Sequence, residues 1–163
     1  EKNTVPPESG GNSSSGSSKS SSSDRGENSL PDTSELHGNW EQTVTGIWRF
    51  KMTGGSYAKN RWGQVNGVWY YFDGEGRMLT GWQYVNHQWY YLFTEEDTET
   101  KTGLKEGAMA TGWYFDSAYQ AWFYLGADGA MAVGQREIDG KQYYFNPESD
   151  GTKGVLQKEE ETL

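Results

Sequence analysis

One short pattern returns five times along this chain and leaves it few folds to adopt. A tryptophan is followed by a few polar residues and then by Trp-Tyr-Tyr closed with Phe or Leu. One unit runs from Trp62 through Trp69-Tyr70-Tyr71-Phe72 to Met78 and Gly81. The next runs from Trp82 through Trp89-Tyr90-Tyr91-Leu92 and, after a longer loop, to Met109 and Gly112. A third runs from Trp113 through Trp122-Phe123-Tyr124-Leu125 to Met131 and Gly134. A fourth begins at Gln135 and carries Gln142-Tyr143-Tyr144-Phe145, and a weaker first unit opens with Trp40 and continues Trp48-Arg49-Phe50. Trp62 to Trp82 and Trp69 to Trp89 set the basic spacing at 20 residues. Such a repeat is one supersecondary unit that cannot bury its apolar face alone and must stack on its neighbours.

Each unit reads as a β-hairpin. Val68 to Phe72 is a β-branched and aromatic strand, and Asn66-Gly67 and Asp139-Gly140 supply the positive φ angles of a tight primed turn. No stretch holds an apolar period of 3.6 residues, so essentially no helix is expected. The fold class that follows is all-β, a solenoid or superhelix of about five stacked hairpins of roughly 20 residues. Strand alternation puts Tyr70, Phe72, Tyr90, Leu92, Phe123, Leu125, Tyr143 and Phe145 on one face, the expected core.

Composition sets the boundaries. Leu, Ile, Val and Phe make up only 23 of 163 residues, and the net charge is −9. Those numbers alone would describe a disordered chain, but 8 Trp and 11 Tyr supply the missing apolar area. All 25 aromatic residues lie between Trp40 and Phe145. Residues 1–38 contain 12 Ser and no aromatic residue, and are expected to form a flexible linker. Residues 39–156 form the repeat domain, and 157–163 an acidic, loose tail. The chain opens on Glu1 without a charged-then-apolar leader, as a mature or excised chain would. No run reaches the ~18 apolar residues of a membrane helix. The acidic balance disfavours nucleic acid as partner. Without cysteine there is neither a disulfide framework nor a thiolate metal site.

Strand alternation leaves a second aromatic row, Trp69 and Tyr71, Trp89 and Tyr91, Trp122 and Tyr124, facing away from the expected core. Those rings could simply wedge hairpins together. Alternatively, they could converge into cages for a quaternary ammonium, which ring quadrupoles attract and which needs no hydrogen-bond partner. The units resemble the choline-binding, or cell-wall-binding, repeats of Gram-positive surface proteins and phage lysins. The resemblance rests on Gly81-Trp82, Trp89-Tyr90-Tyr91-Leu92 and Gly107-Ala108-Met109-Ala110-Thr111-Gly112-Trp113. It implies choline held between consecutive hairpins by two Trp of one repeat and a Tyr of the next, with a Met nearby. Carried over, it gives Trp62 and Trp69 with Tyr91, flanked by Met78 or Met109. It also gives Trp82 and Trp89 with Tyr124, Trp113 and Trp122 with Tyr144, and Trp40 and Trp48 with Tyr71. Met131 joins the ligand set by the same logic. The last unit replaces both Trp by Gln135 and Gln142 and reads as a cap.

The resemblance further implies a secreted, cell-surface attachment module whose partner is a choline-bearing wall polymer and which is fused to another domain. A glycan is the alternative partner, because the last unit, Ile138 to Asn146, resembles glucan-binding and clostridial toxin repeats. A spacer role is a third reading. No catalytic residue, metal or cofactor is expected. Only His37 and His87 are present, and Ser56, Ser117 and Ser149 lack a nucleophile context. The acidic loop 93–106 lacks the alternating ligands and central Gly of a calcium loop and reads as a solvated excursion.

Overall fold

The computed structural model describes residues 35–160. The linker expected over 1–38 therefore falls mostly outside the described residues, as do the last three residues of the expected tail. Five antiparallel hairpins account for most of the chain. They are β1 (Gly38–Gln42) with β2 (Trp48–Met52), β3 (Arg61–Val65) with β4 (Val68–Phe72), and β5 (Gly81–Val85) with β6 (Gln88–Leu92). After a short helix α1 (Glu95–Thr100) come β7 (Gly112–Asp116) with β8 (Ala121–Leu125), then β9 (Gly134–Ile138) with β10 (Lys141–Phe145). A last strand, β11 (Leu156–Glu159), pairs with the free edge of β10. The class is the expected all-β array of hairpin repeats.

The tight turns follow from residues that tolerate left-handed backbone. Asn66 and Gly67 take φ of 53° and 79°, and Asp139 and Gly140 take 52° and 83°, as a primed turn requires. Asn86 and His87 occupy the same positions at 50° and 69°. His87 is thus an exposed turn residue.

Hairpins are joined by a second, repeated turn closed by two backbone hydrogen bonds. Gly76 N–H donates to Asp73 O (3.0 Å), and Asp73 N–H donates to Arg77 O (3.0 Å). The same pair of bonds recurs for Phe93, Gly107 and Ala108, for Gly126, Gly129 and Ala130, and for Asn146, Gly154 and Val155. Gly76, Gly107, Gly129 and Gly154 sit at φ of 83–88°, a region that side chains other than glycine's rarely enter. The segments between Phe93 and Gly107 and between Asn146 and Gly154 are therefore loops let into an unchanged frame.

Two expectations are corrected here. The loop 93–106 is exposed over most of its length, as a solvated excursion is, but it carries a helix where none was expected, because Thr94 accepts from Asp97 N–H (3.2 Å) while the Asp97 carboxylate accepts from Thr94 N–H (2.9 Å). That capping box holds α1, although it is only six residues long. The acidic tail does not start at Gln157 either. Gln157, Lys158 and Glu159 belong to β11, because β10 exposes backbone groups that the returning chain satisfies.

The chain divides into two compact units. In the unit holding residues 35–80 and Leu92–Met109, Phe50, Ala58, Val65, Tyr70 and Phe72 form the core, with Leu36, Trp40, Met52, Val68 and Met78 packed against them. In the unit holding Gly81–Tyr91 and Ala110 onward, Ala132, Ile138 and Phe145 form one cluster with Tyr124, Tyr143 and Leu156. Tyr90, Phe123 and Leu125 are also buried there. The expected core face is thus the buried one, with Tyr143 only half-buried.

Candidate functional site

Strand pairing brings the rings of the second row together in a regular way. In β3–β4 and β7–β8 the first Trp stands opposite the Tyr two residues beyond the second Trp: Trp62 opposite Tyr71 and Trp113 opposite Tyr124. Their rings meet edge to face at 5.1 Å and 5.0 Å, and Trp82 meets Tyr91 in the same manner at 4.8 Å. Edge-to-face contact at these distances is the favoured arrangement for aromatic pairs.

Two Trp pairs form open corners. Trp113 and Trp122 lie 6.2 Å apart with planes at 87°, and Trp40 and Trp48 lie 6.2 Å apart at 88°. In each corner the first Trp is backed by rings of the next hairpin. Tyr143 and Phe145 lie 4.9 Å and 5.8 Å from Trp113, while Tyr70 and Phe72 lie 4.9 Å and 5.9 Å from Trp40. The two corners match within a few tenths of an ångström although one belongs to the degenerate first unit. Trp113 and Trp122 remain 36% and 46% exposed, and Trp40 and Trp48 are half-buried.

The other rings named from the sequence are placed differently. Trp62, Trp82 and Tyr91 are 4%, 2% and 0% exposed, so packing covers them. Trp82 lies 5.0 Å from Phe123, and its indole N–H donates to Asp116 Oδ2 at 2.9 Å. Tyr91 stacks on Tyr114 at 4.2 Å. Trp69 and Trp89 are half-buried. At both corners the ring of the following hairpin that packs on the first Trp is the neighbour of the expected Tyr. Tyr70 rather than Tyr71 lies on Trp40, and Tyr143 rather than Tyr144 lies on Trp113. The reason is strand alternation, which points Tyr71 and Tyr144 to the face of their own hairpin's first position.

The methionines keep company with the second Trp through the backbone. Met78, Met109 and Met131 N–H donate to the carbonyls of Trp48, Trp69 and Trp89 at 2.9, 3.0 and 3.0 Å. Of the two methionines that the resemblance offered for the second repeat, Met109 is the one whose backbone bonds to Trp69. The thioethers of Met78 and Met131 fill the space where Gly107 and Gly154 lack a side chain.

Sequence reasoning missed two rings. Tyr84 is 54% exposed and lies 5.0 Å from Trp89, and Phe115 is 39% exposed and lies 5.2 Å from Trp122. Both stand two residues after the first Trp of their strand, so alternation alone could have placed them on the ring-bearing face. Phe115 stands directly opposite Trp122 in the register and lengthens that wall.

An orthogonal pair of indoles with open faces offers π surface on two sides and no obligatory hydrogen bond. Such a corner suits a diffuse cation with methyl groups and gives a hard ion no ligand set. The choline-binding repeat family matches residues 58–99, and the cell wall binding repeat family matches 111–131. Glucosyltransferase-S of Streptococcus mutans is 33% identical over 137 residues, covering 76% of this chain and 9% of that protein. Choline binding protein F of Streptococcus pneumoniae is 32% identical with a TM-score of 0.60, over 76% of this chain and 36% of that one. The pneumococcal cell wall endolysin of phage Cp-1, solved in complex with choline, is 35% identical with a TM-score of 0.54, over 78% of this chain and 33% of that one. The chain thus spans about a tenth of that curated relative and about a third of the solved chains. Residues 58–99 and 111–131 thus match the choline-binding and cell wall binding repeat families, and the hairpins that carry them resemble those of solved choline-binding proteins.

Proposed function

We propose that this chain is a non-catalytic attachment module that binds choline groups of a bacterial wall polymer, with the Trp113–Trp122 corner as its principal site. The observation that carries the reading is that corner's geometry: two indoles at 87°, 6.2 Å apart, with both rings open to solvent. The trimethylammonium group would sit between the two planes, its methyl groups against the rings and its charge on the negative faces. Each ring contributes roughly 0.5–2 kcal/mol, so one site binds at about millimolar after association costs. The Trp40–Trp48 corner repeats the geometry and serves as a second site. The short span of the chain relative to glucosyltransferase-S supports a role as one part of a longer, secreted cell-surface protein whose other domains act at the wall.

Titration of intrinsic Trp fluorescence with choline tests the reading. A saturable change at millimolar choline is expected, and Trp122→Ala should weaken it about tenfold while leaving the fold intact. A change with glucan oligomers but none with choline favours sugar stacking on the same rings. Silence towards both in a folded chain favours a spacer.

A further inference from the structure

The tip of the second hairpin sets a reactive pair of residues against a carboxylate from upstream. Asn66-Gly67 is the only Asn-Gly pair in the sequence, and glycine is the neighbour that least hinders attack on an asparagine side chain. Both residues are exposed, and nothing lies within 4 Å of where a Cβ on Gly67 would stand. They form the two-residue loop between Val65 and Val68, which face each other in the register. Glu35 spans both amides of that loop, Oε1 accepting from Asn66 N–H at 2.7 Å and Oε2 from Gly67 N–H at 2.6 Å. Leu36 fixes the carboxylate in place, its N–H donating to Gln64 O at 2.8 Å and its side chain resting on Gly63. We propose that Asn66 is a site of spontaneous deamidation whose rate is set by the Glu35 clamp, and that the conversion in turn loosens the clamp.

The reaction needs only water. The backbone nitrogen of Gly67 attacks Cγ of Asn66, the new N–Cγ bond replaces the Cγ–Nδ2 bond, and ammonia leaves with the proton that Gly67 N–H gives up. Water then opens the five-membered imide at either carbonyl and leaves an aspartate or an isoaspartate at position 66. For the attack, Gly67 N must lose its proton and swing towards Cγ about the Asn66 Cα–C bond. The primed turn fixes that rotation, and a charge-assisted hydrogen bond holds the N–H where the turn puts it. The clamped tip must therefore open before it reacts. Either product places a second negative charge beside Glu35, and like charges repel. An isoaspartate also lengthens the main chain by a carbon, which so tight a turn cannot absorb. The other asparagines of similar loops lack the pairing. Asn86 takes the same turn position but precedes His87, whose side chain crowds the attacking nitrogen, and Asn146 precedes Pro147, whose nitrogen has no proton to lose.

Ageing the whole chain at mildly alkaline pH and following the tryptic peptide 62–77 by mass spectrometry tests this. Glu35→Ala should speed conversion at Asn66 by about fivefold, with wild-type circular dichroism and no change at Asn86. Glu35→Gln serves if the alanine variant misfolds, and should shift the rate in the same direction. An unchanged rate in the Glu35 variant overturns the proposal. So does a slower one, because the carboxylate would then be acting as the base. Hydrogen exchange at the Leu36 amide reads the reverse effect: Asn66→Asp should raise it by about threefold or more with the Tyr70 amide unaffected. Unaltered exchange at Leu36 overturns the loosening. Neither measurement involves a choline corner, so the choline reading and this one fail separately.

Discussion

At the scale of single residues, one residue type does two jobs here. Trp82 and Trp113 occupy the same position in successive repeats, yet one is 2% and the other 36% exposed. Trp82 is held by the buried Asp116, whose Oδ1 also accepts from Ala118 and Tyr119 N–H at 2.9 and 3.2 Å. A buried carboxylate with three donors is costly to disturb. Trp82→Ala is therefore expected to lower unfolding free energy by about 3–5 kcal/mol, and Asp116→Ala by about 1–3 kcal/mol. Trp122→Ala should change it by about 1 kcal/mol or less. Urea denaturation of the three variants checks this ordering. Alternation in the sequence was enough to line up the Trp rows. It could not tell which rings are covered, because that depends on contacts such as Trp82 with Asp116, 34 residues apart.

At the scale of elements, the hairpin-joining turn is the unit that repeats most faithfully. Its glycine is pinned twice, by a positive φ and by the Met78 sulfur that fills the space above Gly107. Gly107→Ala must strain the backbone and push Met78 aside, so a loss of about 1–3 kcal/mol is expected. Adding Met78→Ala should recover only the steric part, which a double-mutant cycle in denaturant measures. The same turns carry acids. Burial acts to raise the Asp73 pKa, but hydrogen bonds from Arg77 and Glu75 N–H and the Arg77 guanidinium outweigh it, leaving the carboxyl below its ordinary value. Asp150 is lowered chiefly by the Thr152 hydroxyl and N–H. A depressed carboxylate stabilises the fold above its unfolded pKa, and that contribution disappears as pH falls through the folded value. Thermal midpoints should therefore hold from neutral pH to about 5 and fall below about 4, with a smaller fall in Asp73→Asn. The five hairpins were legible because Asn-Gly, Asp-Gly and the aromatic strands write them directly. α1 and β11 were not: α1 is too short to show a helical period, and β11 exists only because β10 has an edge to share.

For the whole molecule, weak individual sites become useful only in combination. On the proposed function, a polymer carrying many choline groups would meet two corners of matching geometry, Trp40–Trp48 and Trp113–Trp122, and linkage of this kind raises apparent affinity by about 10² to 10⁴. Surface plasmon resonance should show the chain leaving a densely choline-coated surface far more slowly than free choline competition implies. Trp122→Ala should remove most of that gain. The sequence indicated this logic through repetition, but it placed the linker boundary at residue 38. In the structure the chain is already fixed at Glu35, whose carboxylate accepts from Asn66 and Gly67 N–H at 2.7 and 2.6 Å. Leu36 N–H donates to Gln64 O at 2.8 Å and its side chain rests on Gly63. Tension arriving from upstream is therefore taken first by a latch on the side of the second hairpin. The latch must shear before a pull on Glu35 can peel β1 from β2, so the first hairpin stays paired until those hydrogen bonds give way.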